Sequence, residues 1–292
     1  MTQTIHTGFC QSANLPAFSD PIADATSLYV SLSGLIQDQI FFHPKAALES
    51  ESLSELDRQT LQAMAAMGNP VEYFVDALVN VIKTAVEPQY STVKVCLSDS
   101  DSHAFGALLG GTLEQTEVNP AMGVRGVSRF ASDSYSSSFS LECEVIKRLR
   151  ADGITVEVVV PFVRSLSDAA KIIDRLAEQG LPRGLHGLKV LYVCDVPASA
   201  LMSEKLLQYF DGLVVNVDHL TQFSLGLDKA NEDLINLFDP ENEAILHIIA
   251  TAAKSALAAN KPVLVASDDL VSYPKLQDWL IEIGVKDVVV TA

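Results

Sequence analysis

The chain has 292 residues, 48% of them hydrophobic, with 37 Asp+Glu against 20 Lys+Arg and a formal charge of −17. That is enough apolar material for one large core, while the acidity and the lack of any basic run exclude nucleic acid and anionic membrane surfaces as partners. No apolar stretch approaches the roughly 18 residues of a membrane span, the start MTQTIHTGFCQ has no signal-peptide pattern, and the four cysteines lack CxxC or framework spacing, so a cytoplasmic, reduced protein is expected.

In chain order, residues 1–27 are polar, carry Pro16 and Pro21 and show no periodicity, so they read as an N-terminal arm ahead of a domain spanning 28–292. Leu28 to Ile36 reads as a first strand, and helical patterns follow over Ser54 to Met67 and Val71 to Val86. In the second of these, Val71, Phe74, Val75, Leu78 and Ile82 share a face, and Pro70 and Pro88 bracket it. Thr92 to Leu97 is a second strand, Gly123 to Phe130 a short third one, and Ser138 to Arg150 a helix. Ile154 to Val160 is a β-branched run of the kind that is covered on both faces.

The clearest helix follows, with Ser167 expected as N-cap, Ala169, Ile172, Ile173 and Leu176 on one face and Gly180 just past its end. Strands are then expected over Leu188 to Val193, Leu213 to Val217, Pro262 to Val265 and Lys286 to Val290. Helices fall between them around Ile245 to Ala256 and Pro274 to Ile283. Eight strands in alternation with helices is the pattern of an α/β (β/α)8 barrel, here with its last helix truncated because the chain stops at Ala292.

Barrel chemistry gathers at the carboxyl ends of the strands, and two predicted strands end in acids: the first at Asp195, the second at Asp218 followed by His219. Two carboxylates and an imidazole in one mouth point to a divalent metal, or to the remains of a metal site, with the nitrogen favouring Mn²⁺ over Mg²⁺. A G-x-S-x-G elbow and Gly-rich phosphate loops are absent from the sequence.

The ordered stretches FHPKAAL, ALLGG, NPAMGVRGVSRFASDS, SLECEVIKRLR, VPFVRS, CDVPASA, NVDHLTQ and LGLDK resemble the C-terminal phosphoenolpyruvate/pyruvate-binding barrel of the phosphoenolpyruvate synthase family. The resemblance implies a (β/α)8 barrel of that type. It also implies that Arg125, Arg164 and Lys229 contact substrate, and that Asp195 and His219 stand where the family holds Mg²⁺. Against the family pattern, Glu has become Asp195, the Asn-Asp pair has become Asp218 and His219, and the position of the acid-base Cys is Ala266. First-strand Arg and Glu have become Ser31 and Ser33. Asp99, Asp101, Asp268 and Asp269 add acidity near the same mouth.

These replacements imply a stand-alone, degenerate barrel without dikinase activity and with no catalytic residue at the Cys position, in a binding or regulatory role. The resemblance also implies ATP-binding and phosphohistidine domains for dikinase chemistry, and 292 residues taken up by a barrel are expected to leave room for neither. Expected ligands are a small carboxylate or phosphate and a divalent metal (Mn or Mg). A homodimer or association with a full-length relative is expected, or docking of the N-terminal arm over the flank that the missing helix leaves open. The alternative is a metal-dependent lyase or aldolase, or a phosphotransferase-related enzyme, acting on pyruvate- or phosphoenolpyruvate-like keto acids.

Overall fold

A computed structural model describes residues 4–16 and 22–291. Nine short strands form one parallel sheet: β1 (Cys10–Gln11), β2 (Ala13–Leu15), β3 (Ser27–Ser31), β4 (Thr92–Cys96), β5 (Val156–Val160), β6 (Lys189–Cys194), β7 (Gly212–Asn216), β8 (Val263–Ser267) and β9 (Asp287–Val290). From β3 to β9 each strand pairs with the next in sequence, all parallel. The segment Cys10–Leu15 lies between the two ends of that run. Its first half pairs with β9 (Cys10 opposite Asp287) and its second half with β3 (Ala13 opposite Leu28), so the sheet closes into a (β/α)8-type barrel.

The polar N-terminal stretch therefore supplies a barrel stave. It also covers the flank beside the last strand, since Ile5 and Phe9 pack against the core and the His6 amide donates to Gln277 Oε1 at 2.7 Å. The predicted strand over Gly123 to Phe130 is not a strand: Val127–Phe130 is a helical turn, entered through Gly126 in the left-handed region at φ 55°. The first strand is shorter than expected. It stops at Ser31, whose hydroxyl accepts from the Gly34 amide and caps a helical turn at Leu32–Leu35. The clearest helix runs Leu166–Glu178 with Ser165, not Ser167, as its cap, because the Ser165 hydroxyl accepts from the Asp168 amide; Gly180 follows in the left-handed region as expected.

Strand residues alternate between two buried layers. Tyr29, Cys96, Val159, Leu191, Val193, Val214, Leu264, Ala266 and Val289 fill the barrel interior. Their neighbours, such as Val158, Val190, Val215 and Val265, face the helices. Both faces are dry, which is why the strands read as unbroken apolar runs.

Two of the resembling stretches meet in one buried cluster beside the barrel. His43 Nδ1 accepts from the Lys45 amide at 3.0 Å, so Nε2 carries the proton and donates to Glu114 at 2.7 Å. Arg129 adds two parallel bonds to Glu114, each 2.8 Å, and the Tyr135 hydroxyl donates at 2.5 Å. FHPKAAL and the SRF turn are thus tied to a single carboxylate.

Candidate functional site

The strand ends place Ser31, Asp99, Phe162, Asp195, Asn216 and Asp268 around one mouth, as the parallel barrel requires. A cavity of about 280 Å³ opens there, lined by Asn14 and Pro16 from the N-terminal stave and by Tyr29, Ser31, Asp99, Asn216, Asp218, His219, Gln222, Lys229, Ala266, Asp268 and Thr291. A larger hollow of about 340 Å³ lies among the turns between Ser102 and Pro120. Its carboxylates are already bonded, Glu117 to Ser102 and the Val124 amide and Glu114 to Arg129. The mouth, where strand ends converge on open polar groups, is the functional candidate.

One wall is a chain of hydrogen bonds through Asp195, which is fully buried. The Phe162 amide donates to Oδ2 at 2.7 Å, and His219 Nδ1 stands 2.7 Å from Oδ1. His219 Nε2 lies 3.4 Å from Arg125 Nη2, and Arg125 also donates through Nε to the Asp99 carbonyl at 2.8 Å. The guanidinium covers the Phe162 ring at 4.3 Å from its centre. Phe162 holds a φ of 53°, a costly conformation for a non-glycine residue and one that collects at functional sites. Gly126 lets the two segments approach: a Cβ there would come within 2.3 Å of the Pro161 carbonyl oxygen and 2.7 Å of Phe162 Cβ.

The opposite wall is an ion trio. Lys229 Nζ lies 2.6 Å from Asp218 Oδ1 and 2.5 Å from Asp268 Oδ2. Asp218 Oδ2 accepts the Asp268 amide at 2.8 Å, and Thr291 Oγ1 donates to Asp268 Oδ1 at 2.8 Å. Burial works against both charges, yet the Asp218 and Asp268 carboxylates hold the Lys229 ammonium above its ordinary range. The lysine in turn holds Asp268 below its own. All three groups of this wall are positioned by the start of the Val217–Leu225 helix and the turns after it and after β8.

The expected metal donors are brought to one mouth but not to one point. Asp195 and His219 bond each other, while Asp218 turns to Lys229 and the Asp268 amide. Among the described residues no group of three or more His, Cys, Asp or Glu is placed to hold a metal ion as the side chains stand. Of the expected substrate contacts, only Lys229 lines the cavity. Arg125 is buried behind His219, and Arg164 donates to the carbonyls of Arg125 and Phe162. Ala266 does face the cavity at the end of β8. Asn14 and Thr291 were not legible as site residues, since nothing in a polar arm or a chain end marks a stave.

The family described as PEP-utilising enzyme, PEP-binding domain, matches residues 52–292. The chain is 37% identical over 262 residues to the phosphoenolpyruvate synthase of Pseudomonas aeruginosa, covering 88% of this chain and 33% of that protein. It is 36% identical over 259 residues to the phosphoenolpyruvate synthase of Escherichia coli, covering 87% and 33%. With the Neisseria meningitidis phosphoenolpyruvate synthase it shares 34% identity over 261 residues, covering 87% and 33%. The chain thus spans about one third of the length of these relatives.

Proposed function

Given that this chain belongs to the family of the PEP-utilising enzyme, PEP-binding domain, we propose that it is a small-molecule-binding barrel that no longer interconverts pyruvate and phosphoenolpyruvate. The observation that carries this reading is the closed chain Phe162 amide, Asp195, His219, Arg125. The acid at the end of β6, which would have to hold a cation beside the substrate, spends both oxygens inside the protein.

Two further features support it. Ala266 presents a methyl group where the barrel would need an acid or base at the end of β8, and Ser31 brings no charge to the cavity wall. Removing one preorganised electrostatic group costs on the order of 10²-fold or more in rate, and groups that act as a unit are not rescued singly. The cavity itself persists, closed on one side by the N-terminal stave, so binding is retained where catalysis is not.

The test is exchange of solvent deuterium into the methyl group of pyruvate, which needs enolisation alone and no phosphoryl donor. The protein is expected to show none above background with Mg²⁺ or Mn²⁺, and Ala266→Cys to recover none. Exchange well above background in the unmodified protein, abolished by His219→Gln, would overturn the reading.

A further inference from the structure

We infer that Asp218 and Asp268 are specificity-determining residues that bar anions from the barrel mouth by holding its cation, Lys229, as their own counter-ion. The inference rests on the reading of the mouth as a binding site and adds what that site refuses.

Lys229 is the only Lys or Arg side chain lining the 280 Å³ cavity among the described residues. An anionic ligand entering there would have to use it. Its ammonium is already shared between two carboxylates at 2.6 and 2.5 Å, and it also lies 5.4 Å from the centre of the Phe238 ring. The trio carries a net single negative charge, and Asp99 adds another on the wall beside Ser31. Behind His219, Arg125 spends Nε and Nη1 on the carbonyls of Asp99 and Ala121 and turns Nη2 to His219.

The carboxylates are themselves fixed. Asp218 is held by the Asp268 amide and Asp268 by Thr291, so neither can swing aside without leaving a donor unpaired. A phosphate or carboxylate entering this mouth would meet fixed like charge with its one counter-charge occupied, a juxtaposition that disfavours binding. Uncharged or cationic molecules that hydrogen-bond to Asn216, Gln222 and Asp99 meet no such barrier.

The experiment is calorimetric titration of the full chain with phosphoenolpyruvate and, separately, with inorganic phosphate. The unmodified protein is expected to show no saturable binding of either. Asp218→Asn/Asp268→Asn keeps the shapes and one acceptor oxygen in each side chain while removing both charges, and should gain at least about tenfold in affinity for both anions. The gain should shrink between about 0.05 and 0.5 M salt and vanish when Lys229→Met is added. Should the double variant fold poorly, Asp268→Asn alone is expected to give a smaller gain of the same salt dependence. Binding of phosphoenolpyruvate by the unmodified protein as tightly as by the double variant overturns the inference, as does a folded double variant that gains nothing. Neither result depends on pyruvate exchange, so the two readings fail separately.

Discussion

The imidazole of His219 is held through Nδ1 by the buried carboxylate of Asp195, 2.7 Å away. Because a carboxylate only accepts, the ring's proton sits on Nδ1, and Nε2 presents its lone pair toward Arg125. Nitrogen-15 NMR of the imidazole is expected to report the Nδ1–H tautomer. In Asp195→Asn the amide oxygen stays with the Phe162 N–H, so an NH2 group faces Nδ1 and the ring must move its proton to Nε2 or rotate. An unchanged Nδ1–H tautomer in that variant would show that Asp195 does not set the ring.

Glu114 shows how a buried ion pair orders the outer layer. Burial alone would push its carboxyl up, but hydrogen bonds from Arg129, His43 and Tyr135 outweigh this and hold it at about 2, against an ordinary 4.5. A depressed carboxyl stabilises the fold above the unfolded value and loses that contribution as pH falls from 4.5 toward 2. Glu114→Gln leaves Arg129 buried without its counter-charge, and a loss of about 3–5 kcal/mol is expected by urea unfolding at pH 7. Its acid limb should also be flatter than that of the unmodified protein.

How much of this was legible follows from where the information sits. The β5, β6 and β7 runs announce themselves because strands buried on both faces need apolar residues at every position. Gly123 to Phe130 has the composition of a short strand, and only the left-handed Gly126 decides for a turn. The closing stave is invisible because its contribution is backbone hydrogen bonding, which CQSANL could supply as well as any sequence. At the site, Asp195 and His219 could be placed from strand ends. That Asp218 and His219 diverge depends on their being successive residues of a helix that begins at Val217, about 100° apart around its axis.

Deleting residues 4–16 tests the stave directly. It removes the bonds from the Cys10 amide to the Lys286 carbonyl and from the Ser12 amide to the Val288 carbonyl, both 2.8 Å, and exposes the edges of β3 and β9. Open parallel edges invite intermolecular pairing. The truncated chain is expected to unfold at lower denaturant with a smaller slope, and to run as higher oligomers in size-exclusion chromatography. A monomeric variant with an unchanged unfolding midpoint would mean that the barrel does not need this closure.

Glu142 gives the clearest pH dependence. It lies fully inside the helical layer, and burial pushes its carboxyl from 4.5 up to about 7; the bond from the Ser98 amide and the Arg129 charge lower it only in part, and Asp99 adds to the rise. The geometric bond is from the Ser98 amide to Oε2, at 2.8 Å, and Ser98 leads directly into Asp99 at the mouth. With the folded carboxyl titrating above the unfolded one, the unfolded chain binds fewer protons between 4.5 and 7, so stability falls as pH rises through that window and levels above it. The whole effect is on the order of 3 kcal/mol. Glu142→Gln cannot ionise; its oxygen can take the Ser98 amide, and its NH2 faces the Ser98 hydroxyl, which has no partner among the described residues. The variant is expected to match the unmodified protein near pH 4, to be more stable by about 3 kcal/mol at pH 8, and to lose the slope between, as read by urea unfolding at each pH. Parallel slopes in the two proteins would place the Glu142 carboxyl at its ordinary value.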